Sequence, residues 1–111
     1  MSRIIRERGE LVKVLESNEG VFVLFYASWC PFSLAFLPVY EKHAAASKQP
    51  FVRMILDGNE DLFEEHGIEV YPTVIFFKAG TVHKRLDGKH LAGLKEKELA
   101  ELIASCGIER D

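Results

Sequence analysis

The chain predicts an α/β fold, a central mixed β-sheet of four to five strands flanked by helices on both faces. Three observations point there. Residues 21–26 and, apart from Arg53, 51–56 are apolar, rich in β-branched and aromatic side chains, and show no alternation, as expected of strands covered on both sides. A helical stretch separates them, so the two strands pair in parallel. A third apolar run, 73–78, is followed by Ala79-Gly80 and a more polar run, 81–86, which is the pattern of a terminal hairpin whose last strand lies at a sheet edge.

The elements follow in order. Ile4 and Ile5 suit a short edge strand or an early helical turn, and Gly9 argues against one continuous helix. Residues 9–17 read as a short helix with Leu11, Val12 and Leu15 on its buried side. Residues 17–20 form a turn before the first central strand. Residues 31–48 predict a helix carrying Phe36, Leu37 and Tyr40, and Pro38 inside it is expected to kink it. Asp57-Gly58-Asn59 closes the next strand, and residues 60–66 predict a short helix ended by His66-Gly67. The last helix is expected over 94–106, with Leu99, Leu102, Ile103 and Cys106 on one stripe and Gly107 as its stop.

With 111 residues and no repeat or linker, the chain is expected to be a single domain, 1–111. Its net charge of −3 gives no electrostatic case for nucleic acid or an anionic membrane. No apolar stretch approaches the roughly 20 residues that span a bilayer. The first eight residues carry positive charge with no apolar segment behind them, so no signal peptide is expected. Two cysteines are too few for a disulfide scaffold, which favours a reducing, cytoplasmic setting. The four histidines show no metal-ligand spacing, and neither a metal nor a resident cofactor is expected. Arg53, in a buried strand, requires solvent or a carboxylate for its head.

Trp29-Cys30-Pro31-Phe32-Ser33 carries the chemistry. It joins the first central strand to the following helix. Cys30 therefore stands at a helix N-terminus, where free N–H groups and the helix dipole stabilise a thiolate, the form that attacks disulfides. Ser33, three residues on, cannot form a disulfide. It is either a hydrogen-bond donor to the thiolate or a bystander in the first turn. Cys106 reads as a core residue on an apolar stripe; its sharper alternative is a resolving thiol.

These residues, with Pro38, Asp57, Tyr71-Pro72-Thr73, Gly80 and Gly88, resemble the thioredoxin family over nearly the whole chain. Cys30 to Pro38, Pro72 to Gly80 and Gly80 to Gly88 are each eight residues apart, as in that family. The resemblance implies the thioredoxin fold, with a cis-proline at Pro72 beside the reactive cysteine. It makes Cys30 and Ser33 the catalytic candidates, and Trp29, Pro31, Phe32, Tyr71, Pro72 and Gly88 the substrate-binding ones. It implies a groove in which the backbone of Tyr71 pairs with an extended substrate segment. Two departures qualify the match. Ser33 replaces the second cysteine, and Leu24 stands where the family usually carries a buried acid that manages protons for that second thiol.

The expected function is thiol–disulfide exchange through one sulfur. A mixed disulfide forms at Cys30 and is resolved by an external thiol such as glutathione. The expected partners are disulfide-containing or thiol proteins and peptides, met by a monomer. Two alternatives stand beside it: a non-catalytic peptide-binding module, and a two-thiol enzyme whose resolving cysteine was replaced by Ser33.

Overall fold

The computed structural model describes residues 2–89 and 92–106. The elements are β1 (Arg3–Ile5), α1 (Arg8–Ser17), β2 (Gly20–Tyr26), α2 (Pro31–Ala46), β3 (Phe51–Ile55), α3 (Glu60–Glu65), β4 (Thr73–Lys78), β5 (Thr81–Leu86) and α4 (Glu96–Ser105). They form one five-stranded sheet in the order β1-β3-β2-β4-β5. β3 pairs in parallel with β1 and β2; β4 is antiparallel to β2 and β5. Ile4 and Ile5 thus belong to an edge strand, and Gly9 is accommodated in the first turn of α1. Ala79 and Gly80, at φ 52° and 80°, make the tight β4–β5 turn.

Every residue of β2 is buried, so its two faces supply two separate cores. Val21, Val23 and Phe25 pack with Leu11 and Val14 of α1 and Leu62 and Phe63 of α3. Phe22, Leu24 and Tyr26 pack with Phe36 and Tyr40 of α2 and Leu99, Leu102 and Ile103 of α4. Period-two alternation along one strand therefore places α1 and α3 on one side and α2 and α4 on the other.

Tyr40 stitches the second layer to the sheet. Its hydroxyl donates to the carbonyl of Val52 at 2.7 Å and lies 3.1 Å from that of Phe22. Tyr40→Phe keeps the ring but leaves both carbonyls short of a donor. The expected loss is about 1–2 kcal/mol, read as a lower urea midpoint at unchanged slope.

Several boundaries and faces differ from expectation. The buried stripe of α1 is Leu11, Val14 and half-buried Leu15, whereas Val12 faces solvent. At about 100° per residue, Val12 lies a little over a quarter-turn from the middle of that stripe. The last helix begins at Glu96 because the Glu98 carboxylate accepts the Lys95 N–H at 3.1 Å and fixes the N-terminus there. Leu94 is buried ahead of the helix, and Cys106 caps it half-buried against the second core; Gly107 lies outside the described residues. α2 runs through Pro38, which is exposed, so the missing donor leaves the Leu34 carbonyl on the wet side of the helix.

Arg53 finds its carboxylate. It is buried, its Nε lies 3.4 Å from Glu41 Oε2, its Nη2 donates to the Ser2 carbonyl, and its guanidinium stands 5.8 Å from the Tyr26 ring centre. His43 is more buried than a surface position implies, with Nε2 3.4 Å from Glu96 Oε2, whereas His83 is exposed. His90 lies outside the described residues. No described helix is long and apolar enough to cross a membrane.

Candidate active site

The site lies where β2 ends and α2 begins. Cys30 is the N-cap of α2, with extended backbone (φ −87°, ψ 120°). Its N–H donates to the Ala27 carbonyl at 3.2 Å and its carbonyl accepts the Leu34 N–H at 3.0 Å, so a tight turn and the first helical bond hold it from both sides. Pro31 takes the first helical position, where a missing N–H costs nothing. The amides of Phe32 and Ser33 are left without partners inside the helix, at its positive end. The Cys30 side chain belongs to the α1/α3 core, with 8% of the residue exposed.

Ser33 is fully buried. Its Oγ accepts the Ala27 N–H at 3.3 Å, so its hydroxyl ties α2 back to the end of β2. Leu24, also fully buried, is opposite Arg53 and Val74 in the sheet, and apolar packing occupies the position where an acid is usual in the resemblance. Cys30 and Cys106 are both free thiols. Cys106 belongs to the α2/α4 layer and Cys30 to the opposite one. Partial burial pushes the Cys106 thiol up.

The expected substrate-binding residues divide between the start of α2 and the Tyr71–Pro72 loop, which Trp29 joins. Trp29 is 65% exposed and meets the Tyr71 ring edge-on at 6.1 Å. Tyr71 is half-buried and also meets Phe63 at 5.8 Å. The Tyr71–Pro72 peptide bond is cis, and Pro72 is buried. Gly88 is buried against this loop: a Cβ there would stand under 3.0 Å from the Pro72 carbonyl oxygen. Its N–H donates to Thr73 Oγ1, which donates in turn to the Val70 carbonyl. Pro31, Phe32 and Leu34 are exposed on the first turn of α2. Among the described residues no cluster of three or more His, Cys, Asp or Glu side chains is arranged to hold a metal.

Two contributors escaped the sequence reading. Gly93 has φ +67°, and a Cβ there would come within 2.9 Å of Phe32 Cβ, so the loop before α4 braces the first turn of α2. Its only sequence signal is a glycine just ahead of the last helix. Ser28 donates from Oγ to Asp57 Oδ2 at 2.7 Å, tying the loop before Trp29 to the end of β3. That hydrogen bond holds the Asp57 carboxyl below the usual aspartate value. A lowered carboxyl contributes stability above its unfolded pKa and loses it as pH falls through the folded one. Ser28→Ala is therefore expected to raise the Asp57 pKa toward the ordinary value, as a carboxylate NMR titration would read. An unmoved titration would mean the bond is not made.

The fold and this geometry are those of a known group. The model of the family described as Thioredoxin matches residues 8–105. The chain belongs to the thioredoxin family. A thioredoxin of Mycoplasmoides gallisepticum is 33% identical over 100 residues, covering 89% of this chain and 96% of that one. A thioredoxin-like protein of Fusarium culmorum is 39% identical over 80 residues, covering 68% of this chain and 66% of that one. Among solved structures, the thioredoxin of Plasmodium falciparum superposes with a TM-score of 0.83 at 26% identity, covering 93% of this chain and 97% of the other. The thioredoxin fold expected from the sequence is thus the fold observed, and the family is one of thiol–disulfide oxidoreductases.

Proposed function

We propose that this thioredoxin-family chain exchanges thiols and disulfides through one sulfur, that of Cys30. One observation carries the reading: a free cysteine caps α2 while residue 33, where a partner thiol would stand, is a fully buried serine bonded to Ala27. The Cys30 thiolate attacks a substrate disulfide. That S–S bond breaks, a Cys30–substrate S–S bond forms, and the other substrate sulfur leaves as thiolate. Ser33 offers no second attack, so resolution comes from outside. Either a partner cysteine attacks the substrate sulfur, takes over the disulfide and releases Cys30 as thiolate, or an external thiol such as glutathione attacks the Cys30 sulfur and the substrate leaves as thiolate. In the second case another external thiol breaks the new Cys30 disulfide, restoring Cys30 and carrying the S–S bond away as the oxidised dimer. The net result is isomerisation, deglutathionylation or thiol-assisted reduction of a thiol- or disulfide-bearing protein.

In this reading the Tyr71 backbone, next to Pro72, pairs with an extended substrate segment. Trp29, Pro31 and Phe32 supply its apolar border, and Gly88 lets the loop close up behind. No resident cofactor takes part, and a monomer in a reducing, cytoplasmic setting suffices.

A second reading, partner capture in the same groove without turnover, is favoured by the low exposure of Cys30 beside the wide exposure of Trp29. Incubation with a peptide disulfide followed by intact-mass measurement separates the two. The exchange reading expects one peptide adduct, lost in Cys30→Ala, kept in Cys106→Ala and reversed by added thiol. Peptide binding that survives Cys30→Ala, with no adduct in the parent, favours capture instead.

A further inference from the structure

A cavity of about 460 Å³ opens beside the proposed groove, lined by Leu56, Phe63, Ile68 and Tyr71 together with Glu60, Glu64, Gly67 and Glu69. Its apolar lining is continuous with the catalytic surroundings. Leu56, Phe63 and Ile68 belong to the same core cluster as Cys30, and Tyr71 packs against that cluster. Tyr71 also touches Trp29 and directly precedes Pro72. A substrate segment pairing with the Tyr71 backbone would therefore pass the mouth of this cavity.

The charged side chains that line the cavity are all carboxylates. Glu60, Glu64 and Glu69 are in no ion pair found among the described residues. Neighbouring cations are already engaged: Arg8 with Glu65, and Arg85 with Asp87 and the carbonyls of His66 and Gly67. Arg6, whose carbonyl accepts from Asn59 Nδ2, has its charge acting on Asp57. An apolar floor with an unbalanced carboxylate rim matches one kind of side chain: a long aliphatic stem ending in a cation.

Resting on the exchange reading, we infer that the cavity selects substrates with a lysine or arginine flanking the reactive cysteine. The stem lies on Leu56, Phe63, Ile68 and Tyr71, and the charged head reaches Glu60, Glu64 and Glu69. The same rim disfavours acidic segments through like-charge repulsion. The exchange step is unchanged: Cys30 bonds the peptide sulfur and the other sulfur leaves.

The test uses two peptides that differ only in two residues flanking their cysteine, arginine in one and glutamate in the other. Each cysteine carries a 2-thiopyridyl disulfide, whose neutral leaving group reports the rate. At low ionic strength the arginine peptide is expected to react about tenfold faster or more, with the ratio shrinking as salt is added. In the triple variant Glu60→Gln, Glu64→Gln, Glu69→Gln the ratio is expected to fall to about one. Glu64→Lys alone should move it the same way. Equal rates in the parent, or a preference that survives the triple variant, overturns the inference. Cysteine-free versions, titrated against Trp29 fluorescence, keep the two proposals apart. If neither disulfide reacts, the exchange reading fails alone, and the relative Kd values of the two cysteine-free peptides decide the cavity's preference.

Discussion

Gly88→Ala is expected to lower stability by about 3 kcal/mol and to displace the Tyr71–Pro72 loop. The added Cβ would stand under 3.0 Å from the Pro72 carbonyl oxygen and 3.3 Å from the Tyr71 carbonyl carbon. Both are backbone atoms, so no flexible side-chain end can swing aside. Relief would have to come from the strand-to-loop junction, where the Gly88 N–H and the Val70 carbonyl are both tied to Thr73 Oγ1. The clash thus opposes the hydrogen bonds that set the loop. Urea unfolding should show a lower midpoint at unchanged slope. Trp29 emission should change too, because its ring meets Tyr71. Gly67→Ala makes a useful comparison. Its φ of +65° is unfavourable for a side chain, yet nothing lies within 4 Å of its added Cβ. It isolates the backbone cost, about 1 kcal/mol. If Gly88→Ala loses no more than Gly67→Ala, the close approach is not limiting.

Ser33→Cys is expected to change the fate of the Cys30 adduct by about three orders of magnitude. Under the proposed mechanism, a peptide bound through Cys30 in the parent leaves only as fast as a dilute external thiol arrives. A thiol at position 33 attacks the same disulfide from within, at an effective concentration far above millimolar. The adduct should then decay without added thiol, leaving a disulfide between Cys30 and the introduced thiol, as intact mass over time would show. Two features restrain the gain. Residue 33 is fully buried, and Leu24 provides no proton acceptor among the side chains of that layer. Release slower than full dithiol turnover is therefore expected, and it argues that Ser33 and Leu24 belong together. An adduct as long-lived in the variant as in the parent would mean that residue 33 cannot reach the bound sulfur.

Much of this architecture was legible in the chain. β2 and β3 were visible because strands buried on both faces need mainly apolar runs, in β3 interrupted only by Arg53, and β5 because an edge tolerates Lys84 and Arg85. The place of Cys30 at the start of α2 was legible from the strand-to-helix pattern, whereas the Tyr71-Pro72 pair drew notice only through the family resemblance. The α1 face was misjudged because Leu11 and Leu15 share an arc of about 100° equally well with Val12 or with Val14, and only the packing against the sheet decides that Val14 is the buried one. The α4 start was hidden because it depends on Glu98 turning back onto Lys95. The Gly93–Phe32 contact and the cavity beneath Tyr71 join segments far apart in sequence, and no local pattern announces either.

The two rims of the sheet have a further consequence. β1 offers only three residues, beginning with Arg3, and β5 sets Lys84 and Arg85 along the opposite border. Neither gives an incoming strand a long, flat, uncharged ladder to extend. Stacking of copies edge to edge is thereby discouraged at both borders of the sheet.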